Sequence, residues 1–149
     1  MTAKHSPSQL ETDAGYSLTH WLAAGIVLAG AAAYVSSFAG QFILDDRDVI
    51  VANPYIKQLW PIWRVFKAPP DVTTAGRPLY SLSLAINYAL CGTNPKGYHV
   101  ANLAIHLLAG LLVFGVVRRT LLTTGIREKL ANSAGPLAAA AAMIWVVHP

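Results

Sequence analysis

HWLAAGIVLAGAAAYVSSFAG, residues 20–40, decides what kind of protein this is. The apolar run opens at Leu18, is bracketed by Trp21 and Tyr34, and closes at Gly40. At about 1.5 Å per residue, such a helix covers the roughly 30 Å of a bilayer's hydrocarbon core. The run therefore predicts a transmembrane helix over 18–40. A cleavable signal peptide is the competing reading, because Ser37-Phe38-Ala39 resembles a small-x-small cleavage site. The long, barely basic first segment favours an uncleaved anchor. Composition agrees: 54% hydrophobic residues, 12% charged residues and a mean hydropathy of +0.44 are the figures of a chain whose solvent is largely lipid.

On the N-terminal side, residues 1–17 are polar, with Lys4 opposed by Glu11 and Asp13. They carry no strong period and predict a short cytoplasmic tail. Within the first helix, Gly25, Ala29 and Ala33 form a small-xxx-small face on which another helix could pack closely. On the C-terminal side, 41–97 is a long polar connection containing two candidate interfacial helices. The first rests on Ile56, Leu59, Trp60, Trp63 and Phe66 at near-helical spacing, with Lys57, Arg64 and Lys67 among them. Indole rings and long cations are both comfortable at the membrane interface. The second runs from Leu79 to Leu90 after Arg77-Pro78, and is too short to span.

A second span is predicted over 98–117, a charged loop over 118–134, and the start of a third span over 135–149. The fold class expected is all-α integral membrane, with three hydrophobic helices and interfacial helices in the first loop. The third run stops at Trp145-Val-Val-His148-Pro149, so the chain is expected to be a fragment of a longer product. The 118–134 loop has four basic residues and one acid, which makes it cytoplasmic by the positive-inside rule. That places the N-terminus inside, and the 41–97 loop with Asp45, Asp46 and Arg77 on the extracytoplasmic side, together with Tyr98 at the start of the second span and with His148.

Other classes are disfavoured. The single cysteine, Cys91, excludes an internal disulfide framework and has no base beside it in sequence. A net charge of +4 and a pI near 9.4 could suggest nucleic acid, but the basic residues flank apolar runs instead of gathering on a polar face. Gly-rich phosphate loops, CxxC pairs and nucleophile elbows are all missing from the sequence.

Three groups of residues could carry chemistry. Phe42-Ile-Leu-Asp45-Asp46-Arg47-Asp48 emerges where the first span meets water, and its three carboxylates within four positions repel one another unless compensated. A solvated turn is the plain alternative. Arg77, ahead of Pro78, would set a guanidinium beside the free N–H groups of a helix N-terminus, a phosphate-binding arrangement; snorkelling or pairing with an Asp is the alternative. On the second span, His99, Asn102 and His106 follow at i, i+3 and i+7 on one apolar helix face. They suit either interhelical hydrogen bonding or ligand binding. No metal-ligand set is assigned, because the two histidines stand roughly 10 Å apart along the axis. A divalent cation could still bridge Asp45 or Asp46 to one histidine, although nothing in the sequence compels it.

The ordered series Phe42-Ile-Leu-Asp45-Asp46, Ile50 and Asn53, Gly76-Arg77-Pro78-Leu79, Leu84-Ala-Ile-Asn87-Tyr88, Asn94-Pro95-Lys96-Gly97-Tyr98-His99, Asn102, Ile105-His106-Leu107-Leu108 and Val147-His148-Pro149 resembles the N-terminal part of membrane O-mannosyltransferase-like proteins of the tetratricopeptide-repeat-containing type. The resemblance implies an incomplete GT-C glycosyltransferase fold. It further implies transfer of a mannose-like sugar from a polyprenyl-phosphate carrier to a hydroxyl, on protein, at the extracytoplasmic face. Asp45 and Asp46 would be catalytic, and Arg77, Tyr98, His99, Asn102 and His106 would bind substrate. Most of the expected spans and all of the repeat helices lie outside these residues, so activity is expected only in a completed chain. The alternatives are a small non-enzymatic membrane protein assembling through its Ala/Gly faces, and a transporter fragment. Carboxylates at a helix exit, instead of mid-span, argue against the latter.

Overall fold

A computed structural model describes residues 7–70, 72, 74–123 and 127–148. The start of the expected tail and residues 124–126 of the charged loop lie outside the described residues. Among these residues the regular structure is all helical: α1 Pro7–Ala33, α2 Trp63–Phe66, α3 Pro78–Cys91, α4 Pro95–Leu121, α5 Arg127–Leu130 and α6 Ala134–Val147. A 3-10 turn follows α1 at Val35–Ala39, and a π-helical turn occupies Arg47–Val51. Two stretches, Ser17–Ala39 and Pro95–Leu121, are long and apolar enough to cross a membrane. Only 11% of either apolar window is buried, so these are not the core helices of a soluble domain; their apolar flanks face outward, as lipid-exposed helices do. The chain thus has the make-up of an all-α membrane protein. At fourteen residues, α6 is shorter than the bilayer core.

Two differences from the sequence reading have physical causes. The segment read as a polar tail is helical from Pro7, a residue whose fixed φ suits a first helical turn and whose missing N–H costs nothing there. The first interfacial helix shrinks to the single turn Trp63–Phe66. Pro61 stands in the middle of the Ile56–Phe66 run and removes the N–H that a continuous helix would need.

The chain divides into two compact units, one from 1–35 and 103–149 and the other from 36–102. In the first, α1 packs along α6 around Ile26, Phe114, Ala138, Ala139, Ala142 and Val146. The close-approach seam falls on Leu22, Ile26 and Gly30, not on the Gly25-Ala29-Ala33 face. A Cβ on Gly30 would lie 2.6 Å from Leu107 and 2.8 Å from Val146, whereas one on Gly25 would meet Met143 at an ordinary 3.5 Å, and Ala33 is exposed. Gly110 receives the same valine, with a Cβ position 3.2 Å from Val146. Gly30 and Gly110 are thus the small residues between which Val146 fits.

The second unit folds the long connection over α3. Val49, Ile50, Ile56, Val65, Leu84, Ala85 and Tyr98 form its core. Its buried polar residues are joined in a chain. Asn53 Nδ2 donates to Thr74 Oγ1 at 3.3 Å, Asn53 Oδ1 accepts the Tyr55 N–H at 2.9 Å, and Ser81 Oγ donates to the Thr74 carbonyl at 3.2 Å. Buried polar groups are stable only when paired in this way. The chain pins the segment that precedes α3, and with it the backbone of Arg77.

Candidate active site

The acid pair sits on a tight turn. Leu44 has φ +47°, a left-handed conformation that side chains with a Cβ rarely adopt, and directly precedes Asp45. Asp46 N–H donates to the Ile43 carbonyl at 3.1 Å, and the Asp46 carboxylate accepts the Ile43 N–H at 3.4 Å. Asp46 therefore closes its own turn. Asp45 is exposed and contributes no bond to that turn. A groove of about 600 Å³, lined by Gln41, Phe42, Arg47, Asp48 and Thr93 among others, borders the same stretch.

Arg77 caps α3. Its N–H donates to the Thr74 carbonyl at 3.2 Å, its carbonyl accepts the Ser81 N–H at 2.9 Å, and Pro78 follows as the first helical residue. The left-handed Gly76, φ +71°, makes the turn that brings the chain into this cap. The backbone of Arg77 is fixed while its side chain is exposed.

Tyr80 connects these elements, and sequence reasoning missed it. Its hydroxyl is held above the ordinary tyrosine value of 10.0, first by burial and then by the negative charge of Asp46; Arg77 opposes the shift, and Asp45 adds to it. One phenol thus feels both carboxylates and the guanidinium, so all three charged groups lie within electrostatic range of it. A local signal existed, since Tyr80 lies three residues after Arg77, one turn along α3. Nothing local tied it to acids more than thirty positions upstream.

The other candidates behave differently. Tyr98, expected to bind substrate, is buried in the core, its hydroxyl donating to the Gly92 carbonyl at 3.0 Å and its ring edge-on to Phe42 at 5.4 Å. His99 is half-buried, its Nε2–H donating to the Gly40 carbonyl at 3.3 Å beside Phe38. Asn102 is exposed. His106 belongs to the other unit, where its Nε2–H donates to the Val146 carbonyl at 2.9 Å. Its ring stacks on Trp145 at 4.7 Å and meets Tyr34 edge-on at 5.0 Å. Among the described residues no three His, Cys, Asp or Glu side chains come together as a metal-holding group.

The sequence aligns at 33% identity with "Protein O-mannosyl-transferase Tmtc1" of Drosophila melanogaster, over 97% of this chain and 17% of that relative. The chain belongs with the TMTC-type protein O-mannosyl-transferases. Mouse TMTC1 is 32% identical over 84% of this chain and 14% of its own length, and human TMTC4 is 32% identical over 78% of this chain and 17% of its own. The chain therefore spans only 14 to 17% of the length of these TMTC relatives. No family model matches the chain, and no solved structure matches it.

Proposed function

We propose that this chain supplies the acceptor-activating part of a membrane O-mannosyltransferase, moving a mannose-like sugar from a polyprenyl-phosphate carrier to a protein hydroxyl on the extracytoplasmic side. The observation that carries this reading is that the turn bearing Asp45 and Asp46 and the cap bearing Arg77 belong to one compact unit, within electrostatic range of the same Tyr80 hydroxyl. Transfer to a hydroxyl needs a base, because an alcohol is a poor nucleophile at neutral pH, and a positioned carboxylate contributes typically about 10² to 10⁴-fold. Asp45 is that base, since Asp46 is occupied in its turn. Charge builds on the departing phosphate as the glycosidic bond breaks, and Arg77 at the mouth of α3 stabilises it. Tyr80, protonated at neutral pH, is available as a hydrogen-bond donor to the substrates. The membrane-embedded carrier and the protein acceptor are the partners, and the names of the TMTC relatives support a protein acceptor.

The test is turnover by the complete enzyme with a lipid-linked mannose and a protein acceptor. Asp45→Asn keeps shape and removes basicity, and is expected to lower kcat at least about 100-fold with little change in carrier binding. Arg77→Ala is expected to weaken carrier binding as well. Wild-type turnover by both Asp45→Asn and Asp46→Asn would remove the catalytic reading of this turn.

A further inference from the structure

The short helix α2 turns one residue inward and leaves its neighbours outside. Val65 is fully buried against the core that contains Ile56, while Trp63 is 55% and Phe66 47% exposed. Trp60, 79% exposed, joins them with its ring 6.3 Å from that of Trp63. An open groove of about 570 Å³ lies in the same segment, lined by Pro54, Tyr55, Lys57, Gln58, Arg64 and Lys67. Three of those six side chains are cations and none is a carboxylate. The Arg64 guanidinium is held by the Gln58 side-chain carbonyl, which fixes its direction without neutralising it. Among the described residues neither Lys57 nor Lys67 makes an ion pair. Among the described residues the groove's positive charge is thus uncompensated, and its complement is an anion with several acceptor oxygens. The exposed indoles and phenyl ring of the same segment belong to the class of side chains that settles at headgroup depth. A free anion uses only the cations. An anion that carries acyl chains uses both features.

We propose that this groove binds the phosphate headgroup of an anionic glycerophospholipid, with Lys57, Arg64 and Lys67 on the phosphate and Trp60, Trp63 and Phe66 seated at the acyl boundary. The groove shares no lining residue with the Asp45–Asp46–Arg77 cluster, so the proposal goes beyond the transferase reading and requires only that this segment meet a bilayer. The experiment is native mass spectrometry of the intact protein released from nanodiscs of phosphatidylcholine and phosphatidylglycerol in equal parts. Wild-type protein is expected to retain phosphatidylglycerol preferentially. Each of Lys57→Gln, Arg64→Gln and Lys67→Gln is expected to lower that retention about fivefold, and the triple variant to abolish the preference. The charge-keeping pair Lys57→Arg and Lys67→Arg is expected to preserve it. Should the triple variant fail to fold, the two exposed single lysine variants carry the same test. An unchanged preference in those variants overturns the proposal. So does displacement of the lipid by inorganic phosphate as readily as by short-chain phosphatidylglycerol, which would mark a free-anion site. With polyprenyl phosphate added to the nanodiscs, its retention alone, with no phosphatidylglycerol, overturns the proposal equally.

Discussion

Tyr80 offers a direct reading of the charge cluster at the scale of one residue. Its hydroxyl is raised above 10.0 by burial and by Asp46 and Asp45, and is lowered by Arg77. In the folded state the neutral phenol is therefore favoured. Any stability that this contributes is fully present below the unfolded value near 10, and is lost as pH rises through the higher folded value. Phenolate absorbance, taken as the difference between wild type and Tyr80→Phe, is expected to show a titration midpoint above 10.0. Asp46→Asn is expected to lower that midpoint more than Asp45→Asn does, and Arg77→Ala to raise it further. A midpoint indifferent to all three variants would mean that the groups do not share one environment. This connection was illegible in the sequence, because an acid pair, a guanidinium and a phenol that meet only through folding leave no common spacing. Asp45, Asp46 and Arg77 were individually legible because each sits at an element boundary with its own local chemistry. The burial of Tyr98 was equally illegible: an aromatic at a helix start suits an interface as well as a core, and only its contacts with the Gly92 carbonyl and Phe42 place it in the core.

Helix length and helix faces differ in how much of them a sequence displays. The apolar runs in α1 and α4 were readable because spanning length is a property of the run alone. Which face packs depends on a partner, and the seam moved from Gly25-Ala29-Ala33 to Leu22-Ile26-Gly30 because Val146 and Leu107 crowd Gly30. The interfacial helix failed as an element at Pro61, although its residues Trp60, Trp63 and Phe66 remain exposed as that reading required. Two glycines make the face argument quantitative. Gly30→Ala forces a methyl against Leu107 and Val146, and overpacking of that kind costs typically about 1–3 kcal/mol. The helix propensity of alanine returns only about 1 kcal/mol. Gly115→Ala meets nothing within 4 Å, so only the propensity gain applies. Thermal unfolding in detergent is expected to place Gly30→Ala below wild type and Gly115→Ala at or above it. Equal midpoints for the two variants would contradict the assigned seam.

At the scale of the whole molecule the open quantity is which way the chain faces. Arg118 and Arg119 close α4, and Arg127 and Lys129 follow within the next loop against the single acid Glu128. Moving such residues across a bilayer is costly, and short loops rich in Lys and Arg stay on the cytoplasmic side. The 41–97 connection carries six basic residues and four acids, but connections of that length translocate with less regard to charge. The shorter, more one-sided loop is therefore expected to set the orientation, which would send the segment containing Asp45, Asp46 and Arg77 outward. Cys91, the single native thiol, is half-buried and lies where a Gly97 Cβ would touch its sulfur, so it is first replaced by alanine. In that background Thr93→Cys and Thr123→Cys, both exposed positions, are labelled in intact cells with a membrane-impermeant maleimide. Thr93→Cys is expected to react from outside, and Thr123→Cys only after the membrane is permeabilised. The reverse pattern would place the acid turn in the cytoplasm and remove it from an extracytoplasmic transfer reaction, whereas labelling of both sites before permeabilisation would mean that α4 does not cross the bilayer at all.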